Sequence, residues 1–169
     1  MVHLYCGEGK GKTTAAMGLA LRMAGRGKRV VVAQFLKGAD SGERYPLAML
    51  PQVTLLPLPE RVKFSFQLTP EEREAEQVRY LALAEQARTL GAQPDCGLLV
   101  LDEVCAAVNT GLLPLEEVIS CLDRAAGEVV LTGRDPDPAL VGRADYITEM
   151  GKLRHPFDLG TAARPGVEY

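Results

Sequence analysis

The chain has 169 residues, enough for one domain with a single buried core and too few to suggest two. Its 19 basic and 22 acidic side chains give a net charge of −3, so no excess positive charge is present to follow a nucleic-acid backbone. The longest apolar runs are far shorter than the roughly 20 residues of a membrane-spanning helix. We therefore expect a single domain, residues 1–169, with neither nucleic acid nor a membrane as a partner.

The amino-terminal segment predicts a phosphate-binding loop. Residues 2–6 are β-prone, and glycines and a helix-permissive segment follow them, which is the order that a P-loop requires. Counting back from Gly11-Lys12-Thr13, however, the position of the first P-loop glycine holds Cys6, and Gly7 comes one residue late. We expect the loop to bind a nucleotide despite this substitution, but the nucleotide need not lie in the usual orientation.

A second strand is predicted after Gly27, which ends the first helix. Residues 29–35 form a nearly continuous apolar run, as in a strand that is covered on both faces of a parallel sheet. A polar loop follows, and residues 53–58 predict a further short strand. Three polar residues at or beyond the end of the second strand are candidates for lining the nucleotide pocket: Gln34, Lys37 and Glu43.

The clearest helix start in the sequence is at residue 69. Thr69 is suited to the N-cap, Pro70 to the first helical position, and Glu72 closes a capping box. The helix is predicted to run to about Leu90, with Gly91 just beyond its end.

The second half of the chain alternates strands and helices. Residues 97–103 predict a buried strand that ends in two acids, and 128–132 predict another buried strand; helices are predicted over 114–126 and 138–143. Such alternation implies a mostly parallel sheet with helices on both faces. The predicted fold class is therefore α/β, of the P-loop NTPase (RecA-like) type.

The two acids that end the strand predicted over residues 97–103 complete a candidate nucleotide site. In a P-loop, backbone N–H groups and the helix N-terminus face the phosphates, while a lysine adds a point charge and a hydroxyl binds Mg²⁺. Lys12 and Thr13 fit these roles. Asp102 and Glu103 stand where a Walker B carboxylate is expected, at the same sheet edge. An ordinary strand-to-helix turn and a solvated strand end are the structural alternatives.

The cysteines indicate a reducing compartment. Cys6, Cys96, Cys105 and Cys121 show no CxxC spacing, so we expect reduced, mostly buried thiols. No charged segment followed by an apolar one precedes the first strand, which argues against export. The expected location is cytoplasmic.

The stretch CGEGKGKTTAA, residues 6–16, closely resembles the modified P-loop of the ATP:corrinoid adenosyltransferases of the cobalamin pathway, in which the first glycine is also displaced. The resemblance continues in collinear blocks over nearly the whole chain: VVAQFLKG, SGER, LVLDE, LPLEEVIS, VVLTGR and HPFDLGTAARPGVEY. A P-loop alone would not produce such a series.

The resemblance implies a transferase reaction. The Co(I) of a reduced corrinoid (cobalamin, cobinamide or cobyrinic acid a,c-diamide) attacks the 5′ carbon of ATP and expels inorganic triphosphate, in adenosylcobalamin biosynthesis or salvage. The leaving group is then the whole triphosphate, so the loop must stabilise its charge while the ribose faces the second substrate. Because Co(I) is itself a strong nucleophile, no protein base is expected. The resemblance further implies Mg²⁺ as cofactor, a homodimer, and a reduced flavoprotein as electron donor.

The resemblance also assigns site residues by matching positions. It assigns three residues to catalysis, Lys12, Thr13 and Glu103, of which Thr13 and Glu103 hold Mg²⁺ and Asp102 lies behind them. The implied nucleotide-binding set comprises Gly7, Glu8, Gly9, Lys10, Gly11, Lys12, Thr13, Thr14 and Arg134. Lys10 is equally consistent with a solvent-facing charge, and Arg134 with a helix-capping or surface arginine.

An aromatic pair is the candidate corrinoid-binding element. In an extended segment Phe64 and Phe66 would lie on one side and cover a flat macrocycle. The family places an aromatic pair here to exclude the lower axial ligand of cobalt, although the second ring is Phe where the relatives carry Trp. The alternative is that both rings belong to the core or cap a strand.

Two other functions remain open. A generic P-loop ATPase or kinase is supported by Lys12, Thr13 and the Asp102-Glu103 pair alone. A non-catalytic, ATP-gated corrinoid-binding module is the other alternative.

Overall fold

The computed structural model describes residues 1–63 and 65–167. The strands are β1 (Val2–Cys6), β2 (Arg29–Gln34), β3 (Val53–Leu55), β4 (Cys96–Asp102), β5 (Glu128–Thr132) and β6 (Tyr146–Glu149). The helices are α1 (Lys12–Ala24), α2 (Arg44–Ala48), α3 (Pro70–Gly91), α4 (Val104–Asn109), α5 (Leu115–Arg124) and α6 (Pro138–Arg143). Short 3₁₀ turns occupy Ser65–Gln67 and Pro156–Leu159.

The strands form one six-stranded sheet in the order β3-β2-β4-β5-β1-β6. Every pair of neighbouring strands is parallel. The strand that precedes the glycine-rich loop, β1, is separated by β5 from β4, which ends in the acidic pair. The α/β class is confirmed, and the parallel sheet is consistent with a P-loop NTPase-like fold.

The two faces of the sheet carry separate hydrophobic clusters. Side chains of α1 and α2 pack on one face, and side chains of α3, α4, α5 and α6 pack on the other. Strand β2 shows the alternation, since Val30 and Val32 belong to the first cluster and Val31 and Ala33 to the second. All four are fully buried, because helices cover both faces of this strand.

The predicted capping box begins α3. The Thr69 hydroxyl accepts from the Glu72 N–H at 3.3 Å, and the Glu72 carboxylate accepts from the Thr69 N–H at 3.1 Å. The helix extends through Gly91, one residue beyond the predicted end. Its inner face packs on the sheet through Tyr80, Leu83, Ala84 and Ala87.

Three elements were not expected from the sequence. Helices α2 and α4 have five and six residues, too short to show a clear helical period. Strand β6 is an edge strand whose four residues are all exposed, so it lacks an alternating burial pattern. Three predicted strands extend too far, since β2 ends at Gln34, β3 at Leu55 and β4 at Asp102.

The four cysteines are free and buried, as expected. Burial raises the pKa of Cys105 to about 12 and that of Cys121 to about 11. These thiols are therefore uncharged at neutral pH and act as small apolar side chains. In the described part of the chain, we find no helix with the length and apolar character needed to cross a membrane.

We expect Thr69→Ala to lower the free energy of unfolding by about 1 kcal/mol, because the variant leaves an N-terminal N–H of α3 without its side-chain acceptor. Thr69→Ser, which keeps a hydroxyl, is the matched control. Urea denaturation followed by circular dichroism measures both. Equal stability of the alanine and serine variants would contradict the capping role.

Candidate active site

The carboxyl ends of four parallel strands bring the predicted site residues to one edge of the sheet. Strand β1 leads into the glycine-rich loop, and the other three end in polar residues, Gln34, Asp102 and Thr132. The register places Gln34 of β2 opposite Asp102 of β4. This edge is where ligands bind in open α/β sheets.

The Asp102 carboxylate lies at the centre of this edge and is fully buried. Its Oδ1 accepts from the hydroxyls of Thr13 at 2.9 Å and Thr132 at 2.7 Å. Its Oδ2 accepts from Lys37 Nζ at 2.8 Å and Gln34 Nε2 at 3.2 Å. Both oxygens therefore have two donors, which compensates for the burial of the carboxylate.

Lys37 follows β2 and joins the loop to the acids. Besides Asp102, its ammonium contacts Thr13 Oγ1 at 3.1 Å and Glu43 Oε1 at 3.2 Å. Burial disfavours the charged ammonium, but the neighbouring carboxylates of Asp102 and Glu43 outweigh burial and raise the pKa of Lys37 above its usual value. The lysine is therefore a permanent cation at neutral pH.

Glu43 is held by its own set of donors. Ser41 Oγ and Gln34 Nε2 each donate to it at 2.8 Å. Burial tends to raise the pKa of Glu43, but Lys37 and these hydrogen bonds bring it below the usual value. Arg44 fixes Gln34 in turn, since its guanidinium donates to Gln34 Oε1 at 2.8 Å.

Glu103 has an uncommon backbone conformation for a residue other than glycine. Its φ is +57°, and its N–H donates to Thr132 Oγ1 at 2.8 Å as α4 begins. Burial and the adjacent Asp102 carboxylate raise the pKa of Glu103 above its usual value. Charge at Glu103 is therefore favoured by a cation placed beside it.

The glycine-rich loop wraps around the Lys12 side chain. Lys12 is buried, and its ammonium donates to the carbonyl oxygens of Gly7 at 2.6 Å and Gly9 at 2.8 Å. Gly7 and Gly11 have φ values of +93° and +112°, which only glycine adopts readily. Because α1 begins at Lys12 with no acidic residue in its first turn, its N-terminus favours an anion.

The segment after β6 supports the loop from behind. The Gly9 N–H donates to the Met150 carbonyl oxygen at 2.6 Å, and the Met150 N–H donates to Cys6 O at 2.9 Å. A Cβ on Gly7 or Gly9 would approach the Met150 oxygen to 2.7 or 2.5 Å. Both glycines are therefore required by this packing.

The structure corrects the expectation for Cys6. The sequence places Cys6 at the position of the first P-loop glycine, where we expected it to affect the nucleotide orientation. Cys6 instead ends β1, and its side chain joins the hydrophobic core cluster with Cys105. The positive φ of this turn occurs at Gly7, the glycine that comes one residue late, so this glycine provides the backbone conformation that the turn requires.

A cavity of about 730 Å³ opens over the loop. Among the predicted nucleotide-binding residues, it is lined by Glu8, Gly9, Lys10, Gly11, Lys12, Thr13, Thr14 and Arg134, whereas Gly7 is not in its wall. Of the other candidates, it is lined by Lys37, Glu43 and Glu103, and His155 lies in its wall as well. Gln34 is fully buried behind it. Most of the nucleotide-site residues predicted from the sequence therefore line one cavity.

A second cavity of about 410 Å³ adjoins the first. The two share Glu8, Arg134 and His155 in their walls. Glu8 and Arg134 form an ion pair at 3.1 Å, and both side chains are about half exposed. The carboxy-terminal segment, including Phe157, lines the remainder of this second cavity.

The aromatic pair is only partly described. Phe64 lies outside the described residues, and Phe66 is 81% exposed in the 3₁₀ turn Ser65–Gln67. The extended conformation expected there is wrong for these three residues, so the argument that places both rings on one side is lost. Neither cavity described above is lined by Phe66.

Some contributors to the site were missed by sequence reasoning. The sequence marks Thr132 only as the end of a strand. The signal that could have identified it is a hydroxyl at the end of a strand that lies next to the strand ending in the acidic pair. Ser41 and Arg44 act through hydrogen bonds within a polar loop that has no periodic pattern. Met150 contributes mainly backbone atoms, which no side-chain pattern reveals.

Comparison with known proteins assigns the family. The family model described as "ATP:corrinoid adenosyltransferase BtuR/CobO/CobP" matches residues 1–169. The chain belongs to this family.

Individual relatives agree with this assignment. The chain is 36% identical over 177 residues to "Corrinoid adenosyltransferase CobA" of Salmonella typhimurium (strain LT2), covering 100% of this chain and 85% of the relative. It is 35% identical to the corrinoid adenosyltransferase of Pseudomonas aeruginosa (strain PAO1), with 98% and 82% covered. The Escherichia coli K12 corrinoid adenosyltransferase is 33% identical, with 100% and 85% covered.

The oxygen ligands at this edge suit a hard divalent cation that binds together with a nucleotide. Across residues 1–63 and 65–167, no group of three or more His, Cys, Asp or Glu side chains could hold a metal unaided. Mg²⁺ is usually held by one or two carboxylates together with substrate phosphates. The Thr13 hydroxyl and the Glu103 carboxylate, which both line the cavity, fit that arrangement.

We expect Gly9→Ala to displace the loop and lower nucleotide affinity by at least about tenfold, because its Cβ meets backbone atoms of Met150 rather than a movable side chain. Gly18→Ala is the matched control: Gly18 is exposed within α1 with no atom within 4 Å of an added Cβ, and alanine should stabilise that helix by about 0.5–1 kcal/mol. Calorimetric titration with ATP compares them. Unchanged affinity in Gly9→Ala would contradict the tight packing.

Proposed function

We propose that the chain transfers the 5′-deoxyadenosyl group of ATP to the Co(I) of a corrinoid and releases triphosphate. The observation that carries this proposal is the family match over residues 1–169. The glycine-rich loop agrees with it, because its first glycine is displaced by one residue. Cobalamin, cobinamide and cobyrinic acid a,c-diamide are the proposed acceptors, in adenosylcobalamin biosynthesis or salvage.

The loop is proposed to bind the leaving group. When Co(I) attacks the 5′ carbon, it supplies both electrons of the new Co–C bond, and the electron pair of the broken C–O bond departs on triphosphate. Lys12 and the N-terminus of α1 are placed to stabilise that charge. The nucleotide-binding set proposed from the sequence is supported by the shared cavity.

Thr13 and Glu103 are the proposed holders of Mg²⁺. The support is their place in the cavity wall and the hydrogen bond from Thr13 to Asp102 at 2.9 Å. When bound, the metal would neutralise charge on the phosphates. Asp102 orients the Thr13 hydroxyl, and the backbone turn at Glu103 sets the direction of its carboxylate.

Positioning is the main catalytic contribution that we assign to this chain. Co(I) needs no deprotonation, so the residues around the cavity have to bind the triphosphate and orient the 5′ carbon. Glu103 also supports a second candidate function, ATP hydrolysis, because a carboxylate in the cavity wall can act as a base for water. The two functions differ in their phosphate product.

The product test separates these functions. With Mg-ATP and chemically reduced cobinamide or cobalamin, we expect a light-sensitive Co–C product and an equal amount of triphosphate. Anion-exchange chromatography and visible spectroscopy measure the two. Orthophosphate or diphosphate as the stoichiometric product, or ATP turnover indifferent to corrinoid, would reject adenosyl transfer in favour of hydrolysis. Tight corrinoid retention without product would favour the non-catalytic module.

We further propose that Phe64 and Phe66 contact the corrin and exclude its lower axial ligand. The support is the resemblance of this segment to the family and the exposure of the Phe66 ring. A four-coordinate Co(II) without that ligand is easier to reduce.

Phe66→Ala should therefore slow the reduction of bound Co(II) by about threefold to tenfold, since one aromatic contact is lost. Transfer from chemically prepared Co(I) should fall less. Val78→Ala, which removes an exposed apolar side chain of α3 outside both cavities, is the control. Equal losses of both activities in Phe66→Ala would count against the role in excluding the ligand.

The remaining assignments are proposals supported by the family resemblance. They are a homodimer, a reduced flavoprotein as electron donor, and a cytoplasmic location. We also propose that residues 1–169 act as one domain, which is supported by the single sheet that carries both hydrophobic clusters.

A further inference from the structure

Lys37 lines the cavity, as expected from the sequence, but none of the roles proposed above is assigned to its charge. Its side chain is 24% exposed and lines the same cavity as Lys12. An ammonium has three N–H donors, and those of Lys37 face Asp102 at 2.8 Å, Thr13 at 3.1 Å and Glu43 at 3.2 Å. The charge is therefore held beside Thr13, where we place the metal and a phosphate.

The backbone before Lys37 is held in a conformation that leucine rarely adopts. Leu36 has a φ of +54°, in the left-handed region, and its N–H donates to Tyr80 Oη at 3.0 Å. Tyr80 is fully buried in α3, where its ring packs against Phe35 at 5.5 Å and under the Arg79 guanidinium at 4.2 Å. Strained residues of this kind persist where the surroundings fix them, and they cluster at functional sites.

The three partners of Lys37 differ in how readily they can be exchanged. If Lys37 left Asp102, this fully buried carboxylate would lose one of its hydrogen-bond donors, which is costly inside the protein. Glu43 makes the longest of the three contacts, and it keeps Ser41 and Gln34 as donors at 2.8 Å each when Lys37 leaves. The contact with Glu43 is therefore the one that an anionic ligand displaces most easily.

We propose that Lys37 is an additional cation of the triphosphate site, which exchanges its contact with Glu43 for an oxygen of the bound triphosphate while it stays on Asp102. The inference rests on the proposed function in taking triphosphate as the leaving group. A phosphate contact from Lys37 would come from an element outside the glycine-rich loop. The leaving group would then be held by cations on two separate elements.

The proposal gives opposite signs for two substitutions. Lys37→Met removes the cation and should weaken binding of inorganic tripolyphosphate by about tenfold to hundredfold, the range for a hydrogen bond to a charged group. Glu43→Gln removes the competing carboxylate and a negative charge near the ligand, so it should tighten binding by more than about twofold. Calorimetry with tripolyphosphate in metal-free buffer measures both without catalysis.

Lys28→Met is the matched control, because Lys28 is exposed and precedes the same strand that Lys37 follows. Its affinity should stay within about twofold of the unsubstituted protein. Equal affinities of the two lysine variants would overturn the proposal. An affinity of Glu43→Gln no tighter than that of Lys28→Met would also overturn it, since loss of the contact with Glu43 would then not make Lys37 available to the ligand. That variant decides the question even where Lys37→Met does not fold.

The unsubstituted protein separates this inference from the proposed function. If it fails to bind tripolyphosphate, the assignment of the leaving-group site falls, and the role of Lys37 falls with it. If it binds tripolyphosphate and Lys37→Met binds equally well, only the role of Lys37 falls.

Discussion

The candidate site depends on one buried carboxylate. Asp102 accepts from hydroxyls of α1 and β5 through one oxygen, and from Gln34 and Lys37 at the end of β2 through the other. A buried charge is tolerated only while such donors surround it. The same contacts that satisfy Asp102 fix the first helix against the sheet edge. They also place the Thr13 hydroxyl and the Lys37 ammonium beside each other.

The glycine-rich loop is constrained from two sides. Its carbonyl oxygens at Gly7 and Gly9 accept from Lys12 inside the loop, and the Gly9 N–H donates to Met150 behind it. The loop is therefore shaped by the protein itself, which suits a site that must hold charge as it develops. In adenosyl transfer the charge appears on the departing triphosphate. A preformed set of cations at the loop and at Lys37 would stabilise that product state.

The sequence was most informative where local chemistry and the fold agree. Thr69 and Glu72 predicted the start of α3, because a capping box depends only on neighbouring residues. Buried apolar runs predicted β4 and β5 for a similar reason. The hydroxyl of Thr132, the support from Met150 and the exposed edge strand β6 all depend on contacts between distant segments. Such contacts leave no periodic signal in a single sequence.

The most direct test of this account measures Asp102→Asn. The amide removes the negative charge that is paired with the Lys37 ammonium and replaces one of two acceptor oxygens by a donor, so we predict a loss of about 3–5 kcal/mol in the free energy of unfolding and a parallel loss of tripolyphosphate affinity. Asp95→Asn, at a carboxylate that is 66% exposed, should change neither quantity. An Asp102→Asn protein with the stability and the affinity of the Asp95→Asn control would contradict the central role of this carboxylate.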